Sequence, residues 1–373
     1  AELARIPRHL RDSGDSGEIL LPEIDSDPPE SQISLPSVPP KSSPTPTVSS
    51  WDCRQTLIGH SKAVTALAIS SDGKFLASAS WDRTLKLWDL ASGELVDTAA
   101  GHPQGLLAVS FSGCEDINTQ SNDYCIASGS FDQTIKLWSL QPRNGEGGFQ
   151  MSLARTLTGH TGSIHALAIA PEGKILVSGS YDKTLKQWDL ETGERLHSSY
   201  DELGAIYAIA LHEAGEWIAS GGGDGRIALW RLGSGEKLGL LSGNLSSLES
   251  LAISPDGRIL AAGCVDGTIK LWQLELDSIS SKRELSPHRI LSAHSGQVTA
   301  LLFSPDGQIL FSSGADGRIR LWHPDDSQPL GMLREAGEAE NSPPRVTSLA
   351  LSPDGKLLAA GSAGGTIKIW LRY

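Results

Sequence analysis

The sequence is short of several things that mark particular function classes. Positive charge is in deficit: Lys and Arg number 31 against 44 Asp and Glu, for a formal net charge of −13. A general nucleic-acid binder needs a net basic footprint to displace counterions from phosphate, and a basic membrane-surface protein needs the same excess. The balance argues against both. Hydrophobic residues make up 39%, and no run approaches the about 18 apolar residues that a membrane-spanning helix requires. Met (2) and Phe (6) are scarce while Gly reaches 40, the composition of many tight turns rather than of long helices. The four cysteines, Cys53, Cys114, Cys125 and Cys264, match no zinc or redox spacing. Cys114 and Cys125 flank one loop and could meet across it, with free buried thiols the default expectation. No metal and no cofactor are expected. The first residue is Ala1 and no intact signal peptide follows it. A cytoplasmic location is the expectation, although a signal already removed would leave no trace.

What is present falls into two parts. Residues 1–50 hold 9 of the 20 prolines and 10 serines, with 8 acidic and 4 basic side chains. Such a segment buries too little apolar surface to offset the entropy of ordering, so it reads as a disordered arm or linker. Its one apolar run is Ile19-Leu20-Leu21.

From Trp51 onward the sequence repeats itself. Seven segments align without gaps: SWDRTLKLWDL (80–90), SFDQTIKLWSL (130–140), SYDKTLKQWDL (180–190), GGDGRIALWRL (222–232), CVDGTIKLWQL (264–274), GADGRIRLWHP (314–324) and SAGGTIKIWLR (362–372). In the first six copies an Asp precedes the Trp by six residues, while the Trp-to-Trp spacing varies from 42 to 50. A fixed offset beside variable length implies a rigid turn-plus-strand unit joined by tolerant loops. Runs such as FLASAS and TLKLW flank each turn, ALAIS or LAISPDG lies upstream, and GELVDT follows the first Trp. Each repeat therefore reads as a four-stranded antiparallel meander, too small to bury its faces alone. Radial stacking buries both faces and leaves short, protected edges. The chain stops three residues after Trp370, whereas Arg54-Gln55-Thr56-Leu57 precedes the first unit with no local partner. The economical arrangement pairs this N-terminal strand with the last unit and closes a ring of seven.

These residues resemble the WD-repeat β-propeller family, over about 320 residues. Its Gly-His dipeptide stands at Gly59-His60, Gly101-His102 and Gly159-His160, with Ala293-His294 as a variant. The resemblance implies an all-β fold, a seven-bladed propeller of four-stranded blades over 51–373. It also implies a hydrogen-bonded tetrad inside a blade, matched by His60, Ser78, Asp82 and Trp88; by His102, Ser128, Asp132 and Trp138; by His160, Ser178, Asp182 and Trp188; and by His294, Ser312, Asp316 and Trp322. Copy four keeps Ser220, Asp224 and Trp230 without Gly-His. Copy five has Asn244 and Ala262, and copy seven has Ala360 and Gly364. Copies five and seven are expected to lean on apolar packing, since such networks are complete or dropped. Gln187 departs from the Leu or Ile of the matching positions.

A Ser, His and Asp recurring together invites a hydrolase reading. A catalytic triad needs one exposed nucleophile and an oxyanion hole, whereas this set occurs four times interleaved with Trp. Nucleophile-elbow, Walker and paired-Cys motifs are missing, and His197 and His212 stand isolated. Repetition points to structure.

The residue before each turn Asp is more telling. In order it is Trp81, Phe131, Tyr181, Gly223, Val265, Ala315 and, before the Gly364 that replaces the Asp in copy seven, Ala363, with Arg83 and Lys183 following the Asp in copies one and three. The resemblance places these turns on one rim with the inter-blade loops. Either the three rings pack locally over neighbouring turns, or they form an aromatic and basic patch that anchors a protein or peptide. Insertions at 113–124, 141–151 and 276–288 read as loops on the opposite rim. Residues 334–344, with Glu335, Glu338 and Glu340, enlarge a loop on the aromatic side. The expected function is a non-enzymatic scaffold, monomeric by itself, binding a protein partner and neither nucleic acid nor a membrane interior. The alternatives are a regulatory or sensory domain of a larger signalling protein, and an enzyme at the central channel mouth. Convergent carboxylates or histidines with shifted pKa values there would favour the enzyme.

Overall fold

The computed structural model describes residues 50–115, 122–143, 148–200, 204–243, 246–274, 285–333 and 343–373. The arm read at 1–49, the positions Asn244 and Glu335 to Glu340, and most of 276–288 lie outside the described residues. Among those described there is no helix, and none therefore long and apolar enough to cross a membrane.

Twenty-eight strands form seven four-stranded antiparallel sheets. Blade 1 runs outward through Val64–Ile69, Phe75–Ser80, Leu85–Asp89 and Leu95–Ala99. Blades 2 to 6 repeat that order, with inner strands Leu106–Glu115, Ile164–Ile169, Ile206–Leu211, Leu248–Ile253 and Val298–Phe303. Blade 7 combines Val346–Leu351, Leu357–Ser362 and Thr366–Arg372 with the N-terminal strand Trp51–Ile58. That strand pairs antiparallel from Trp51↔Arg372 to Ile58↔Thr366, as the unpaired ends of the sequence imply. Successive inner strands adjoin all the way round, the last against the first, which makes the ring a closed propeller.

The core lies between blades. Second strands are sandwiched by a blade on either side, so FLASAS is buried at every residue, and small side chains prevail there. Gly179 shows why: a Cβ built on it would sit 2.5 Å from Cγ2 of Ile206 in the next blade. Phe75, Leu85 and Leu87 of blade 1 pack on Leu106, Ile126 and Trp138 of blade 2. The closing seam is built alike, with Ile367 and Ile369 of blade 7 against Leu67, Leu76 and Trp88 of blade 1. Each such aliphatic side chain contributes about 1.5–3 kcal/mol through burial.

Two insertions differ from the loops read in the sequence. Pairing in blade 2 continues to Glu115↔Asn122 and to Pro142↔Phe149, so much of 113–124 and 141–151 is strand. The extension is anchored on blade 1: Phe149 meets Phe75 edge-on at 5.2 Å, and the Met151 amide donates to Asp97 Oδ2 at 2.7 Å. The same ladder sets Cys114 opposite Asp123 and Cys125 opposite Ser112, so the two cysteines are not register partners.

Candidate functional site

The meander assigns loops to rims. Turns between second and third strands share one rim with the loops that lead into the next inner strand, as the Trp81 amide bonded to Ala63 O shows. Ser50 and Tyr373 meet at the other rim, where the Tyr373 amide donates to Ser50 O at 2.9 Å.

Four blades bring the tetrad side chains together. In blade 1 the indole of Trp88 donates to Ser78 Oγ (2.8 Å), Ser78 Oγ lies 2.7 Å from His60 Nε2, and His60 Nδ1 is 2.8 Å from Asp82 Oδ2. An ionised Asp82 only accepts, which makes Nδ1–H the donor and leaves Nε2 to accept from the serine. Thr84 completes the chain with Oγ1–H to Asp82 Oδ1 at 2.6 Å. Blades 2 and 3 repeat this with His102, Ser128, Asp132 and Trp138 and with His160, Ser178, Asp182 and Trp188. Blade 6 joins His294, Ser312, Asp316 and Trp322, with Arg320 bonding Asp316 Oδ2 at 2.9 Å where the others use threonine. Burial pushes the imidazoles of His60, His102 and His160 below the ordinary histidine value, against the pull of their carboxylates. Burial also works to raise the Asp82 carboxyl, but hydrogen bonds from Thr84 and His60 outweigh it and bring it to about 2. With Oγ of each serine engaged by both Trp and His and buried, the set holds no exposed nucleophile.

The incomplete blades resolve differently. Trp230 donates to Ser220 Oγ at 2.8 Å in blade 4. In blade 5 the Trp272 indole finds the backbone carbonyl of Leu285 at 3.1 Å instead of resting on apolar contacts alone. In blade 7 the buried Trp370 indole has no hydrogen-bond partner among the described residues. Gln187 is 1% exposed and clamps two blades: its amide donates to Arg231 O at 3.3 Å, and its Oε1 accepts from the Gly233 amide at 2.8 Å. Leu could not satisfy that turn. His212 stacks on Trp217 with ring centroids 5.2 Å apart.

The aromatic turns sit together on the rim. Trp81 is 49% and Tyr181 59% exposed, and Phe131 is half-buried between them, meeting Trp81 edge-on at 5.4 Å. Ser80, Ser130 and Ser180 pin these turns, each hydroxyl bonding a carbonyl of the preceding inter-blade loop and accepting from the turn Asp amide. The residue after the turn Asp, or after Gly364 in blade 7, takes a left-handed conformation in every blade. Blades 4 to 7 use Gly225, Gly267, Gly317 and Gly365 there, whereas blades 1 to 3 force Arg83 (φ 73), Gln133 (φ 70) and Lys183 (φ 68) into it. A non-glycine residue in that region costs about 1–2 kcal/mol. Three blades therefore carry strain, and they are the three that carry the aromatics. Gln133 escapes a reading that looks only for basic residues.

The central channel, of about 200 Å³, is lined by the inner strands of all seven blades. The second residue of each inner strand forms one ring near the aromatic rim: Thr65, Leu107, His165, Tyr207, Glu249, Thr299 and Thr347. Thr65, Thr299 and Thr347 donate to carbonyls of the neighbouring inner strand. His165 lies at the meeting point of the patch, 6.3 Å from Phe131, 6.4 Å from Tyr181 and 5.0 Å from Tyr207. Its Nε2 bonds Ser163 Oγ at 3.0 Å, and burial lowers its pKa. Glu249 follows Tyr207 round the ring. Burial raises its carboxyl, with Arg345 opposing the shift. Sequence reading passed over all three residues; the signal lay in aligning the inner strands, where THR, LEU, HIS, TYR, GLU, THR, THR occupy one column. No group of three or more His, Cys, Asp or Glu among the described residues is arranged to hold a metal.

Comparison with known proteins bears on the whole ring. The family described as "WD domain, G-beta repeat" matches residues 51–89, 93–139, 151–189, 194–231, 235–273, 285–323 and 336–370. The first six matched stretches begin at or within a few residues of the outer strand of one blade and end at the third strand of the next, and the last ends on the third strand of blade 7. Protein Mut11 of Chlamydomonas reinhardtii is 52% identical over 59 residues, 16% of each chain. The small ribosomal subunit protein RACK1 of Candida albicans is 54% identical over 41 residues, 11% of this chain and 13% of that one. U3 small nucleolar RNA-associated protein 13 of Saccharomyces cerevisiae is 45% identical over 51 residues, 14% of this chain and 6% of its own length. The aligned segments thus span less than a fifth of these relatives.

Proposed function

This chain belongs to the WD40 repeat family, and from that premise we propose that it is a non-enzymatic platform that captures a protein or peptide on the rim carrying Trp81, Phe131 and Tyr181. The observation that carries the reading is the coincidence of these aromatic rings, Trp81 and Tyr181 exposed and Phe131 half-buried against Trp81, with left-handed, non-glycine residues in the same three turns. Backbone strain and large exposed apolar rings both oppose stability and solubility, so their joint presence is best explained by a partner that covers them. Arg83, Gln133 and Lys183 flank the rings and supply polar contacts at the margin of the patch.

An enzymatic reading of the channel mouth has one observation in its favour, the shifted His165 and Glu249. Both shifts come chiefly from burial, and no hydrogen bond joins the two groups. The ring's threonine hydroxyls are spent on backbone carbonyls. Binding fits the geometry better.

The test is affinity purification from the native source with the wild-type chain beside the triple variant Trp81→Ala, Phe131→Ala, Tyr181→Ala. Loss of the captured partner with Tm nearly unchanged is the expected result. Capture that survives the triple change would overturn the reading.

A further inference from the structure

We propose that the channel mouth receives a cationic side chain, arginine or lysine, from the partner seated on the aromatic rim, with Glu249 as its counter-charge. The proposal rests on the rim-binding reading and adds the chemistry of the residue that anchors the partner. Seven equivalent positions form the ring, and Glu249 is the one carboxylate among them. Three of the seven are threonines whose hydroxyls serve the backbone, so an acidic side chain is not what the propeller needs there for its own cohesion.

Glu249 is half-buried yet poorly partnered. Its hydrogen bond is a long one, 3.4 Å from Gln297 Nε2. No lysine, arginine or histidine among the described residues forms an ion pair with it. Arg345, exposed at the mouth, acts on it only at longer range. Burial holds the carboxyl above its ordinary value, so an arriving cation would relieve a group that the fold leaves short of countercharge. Tyr207, the preceding member of the ring, lies close enough to Glu249 to feel its charge, and His165 in turn contacts the rings of Tyr207, Tyr181 and Phe131. Aromatic faces beside a carboxylate are a fitting environment for guanidinium or ammonium, through cation–π attraction and a charge-assisted hydrogen bond. The net charge of −13 favours approach of such a group over an anionic one.

The test uses the full chain labelled with 3-fluorotyrosine, whose five tyrosines give separable fluorine signals, and the peptides acetyl-Gly-Arg-Gly-amide, its lysine counterpart and its neutral citrulline counterpart. The arginine and lysine peptides should shift the Tyr207 and Tyr181 signals saturably, and citrulline should not. Glu249→Gln should weaken the cationic peptides about tenfold or more, and Arg345→Ala should tighten them about threefold by removing a competing cation, both with unchanged Tm. Arginine and lysine curves that differ would say which cation the mouth prefers. Equal binding of citrulline, full binding by Glu249→Gln, or no shift with any peptide would overturn the proposal. The rim reading stands or falls separately, on partner capture by the aromatic triple variant.

Discussion

Blades 1 to 3 and blades 4 to 7 share one architecture and differ in what their turns carry. The first group combines complete tetrads with Trp81, Phe131 and Tyr181 and with the left-handed Arg83, Gln133 and Lys183. The second group has Gly223, Val265, Ala315 and Ala363 followed by glycine in the left-handed position. Blade 6 separates the two features, because its tetrad is complete while its turn holds Ala315 and Gly317. A tetrad therefore needs neither an aromatic nor strain. The network belongs to the cohesion of the blade, and the rings and strain belong to something outside it.

The most drastic way to probe the comparison is to ask whether the two groups stand or fall together. Removing residues 51–58 takes the outer strand from blade 7 and with it Leu57, which packs in the seam between blades 7 and 1. Loss of a cooperative transition for the whole ring is expected, whereas deleting 1–45 should leave Tm unchanged. Equal melting temperatures for the two truncations would break the closure argument.

Single-blade changes come next. Ser178→Ala in blade 3 strands the Trp188 indole and His160 Nε2, and should cost about 1–3 kcal/mol in chemical denaturation. Ala262→Ser in blade 5 should gain almost nothing, because Trp272 already donates to Leu285 O. A large gain there would show that the two kinds of blade are held in the same way.

Acid should act chiefly on the first group. The folded-state pKa values of His60, His102 and His160 lie below the unfolded value of 6.5, so the unfolded chain binds more protons in that window. Stability should fall as pH drops from about 6.5 towards the folded values, by up to about 1.4 kcal/mol per pH unit for each histidine. The Asp82 contribution is retained until pH falls from 3.8 through about 2. His102→Leu should melt lower at neutral pH yet show a shallower dependence between pH 7 and 5. An unaltered slope would contradict a neutral, buried His102.

The smallest effect is the most discriminating. Arg83→Gly, Gln133→Gly and Lys183→Gly should each raise stability by about 1 kcal/mol through relief of the left-handed backbone, less the flexibility that glycine adds to the unfolded chain. Partner capture should weaken. Stabilisation with capture intact would detach the strain from binding.

The fold was legible because a fixed Asp-to-Trp offset cannot survive seven times unless one turn-and-strand unit recurs, and because the strand at Arg54 to Leu57 had no partner until the last unit supplied one. The tetrads were legible through the resemblance, which put residue types at fixed offsets. What stayed hidden has physical causes. The acceptor for Trp272 is a main-chain carbonyl, which any residue carries, so no letter announces it. Gln187 shows in the sequence only as a departure from the Leu or Ile of its column, and its role depends on the Gly233 amide that the next blade brings beside it. His165, Tyr207 and Glu249 lie far apart in sequence and meet only because seven inner strands converge on one axis. Alternation along one strand shows that such residues face the channel but not which neighbours they find there.

The central claim is that the partner sits over blades 1 to 3. A photoreactive phenylalanine analogue placed at Phe131, and in a second protein at the equivalent Ala315, measures this directly. Irradiation should give a covalent partner adduct from position 131 and none from 315. Adducts of equal yield from both positions, or from 315 alone, would contradict the account.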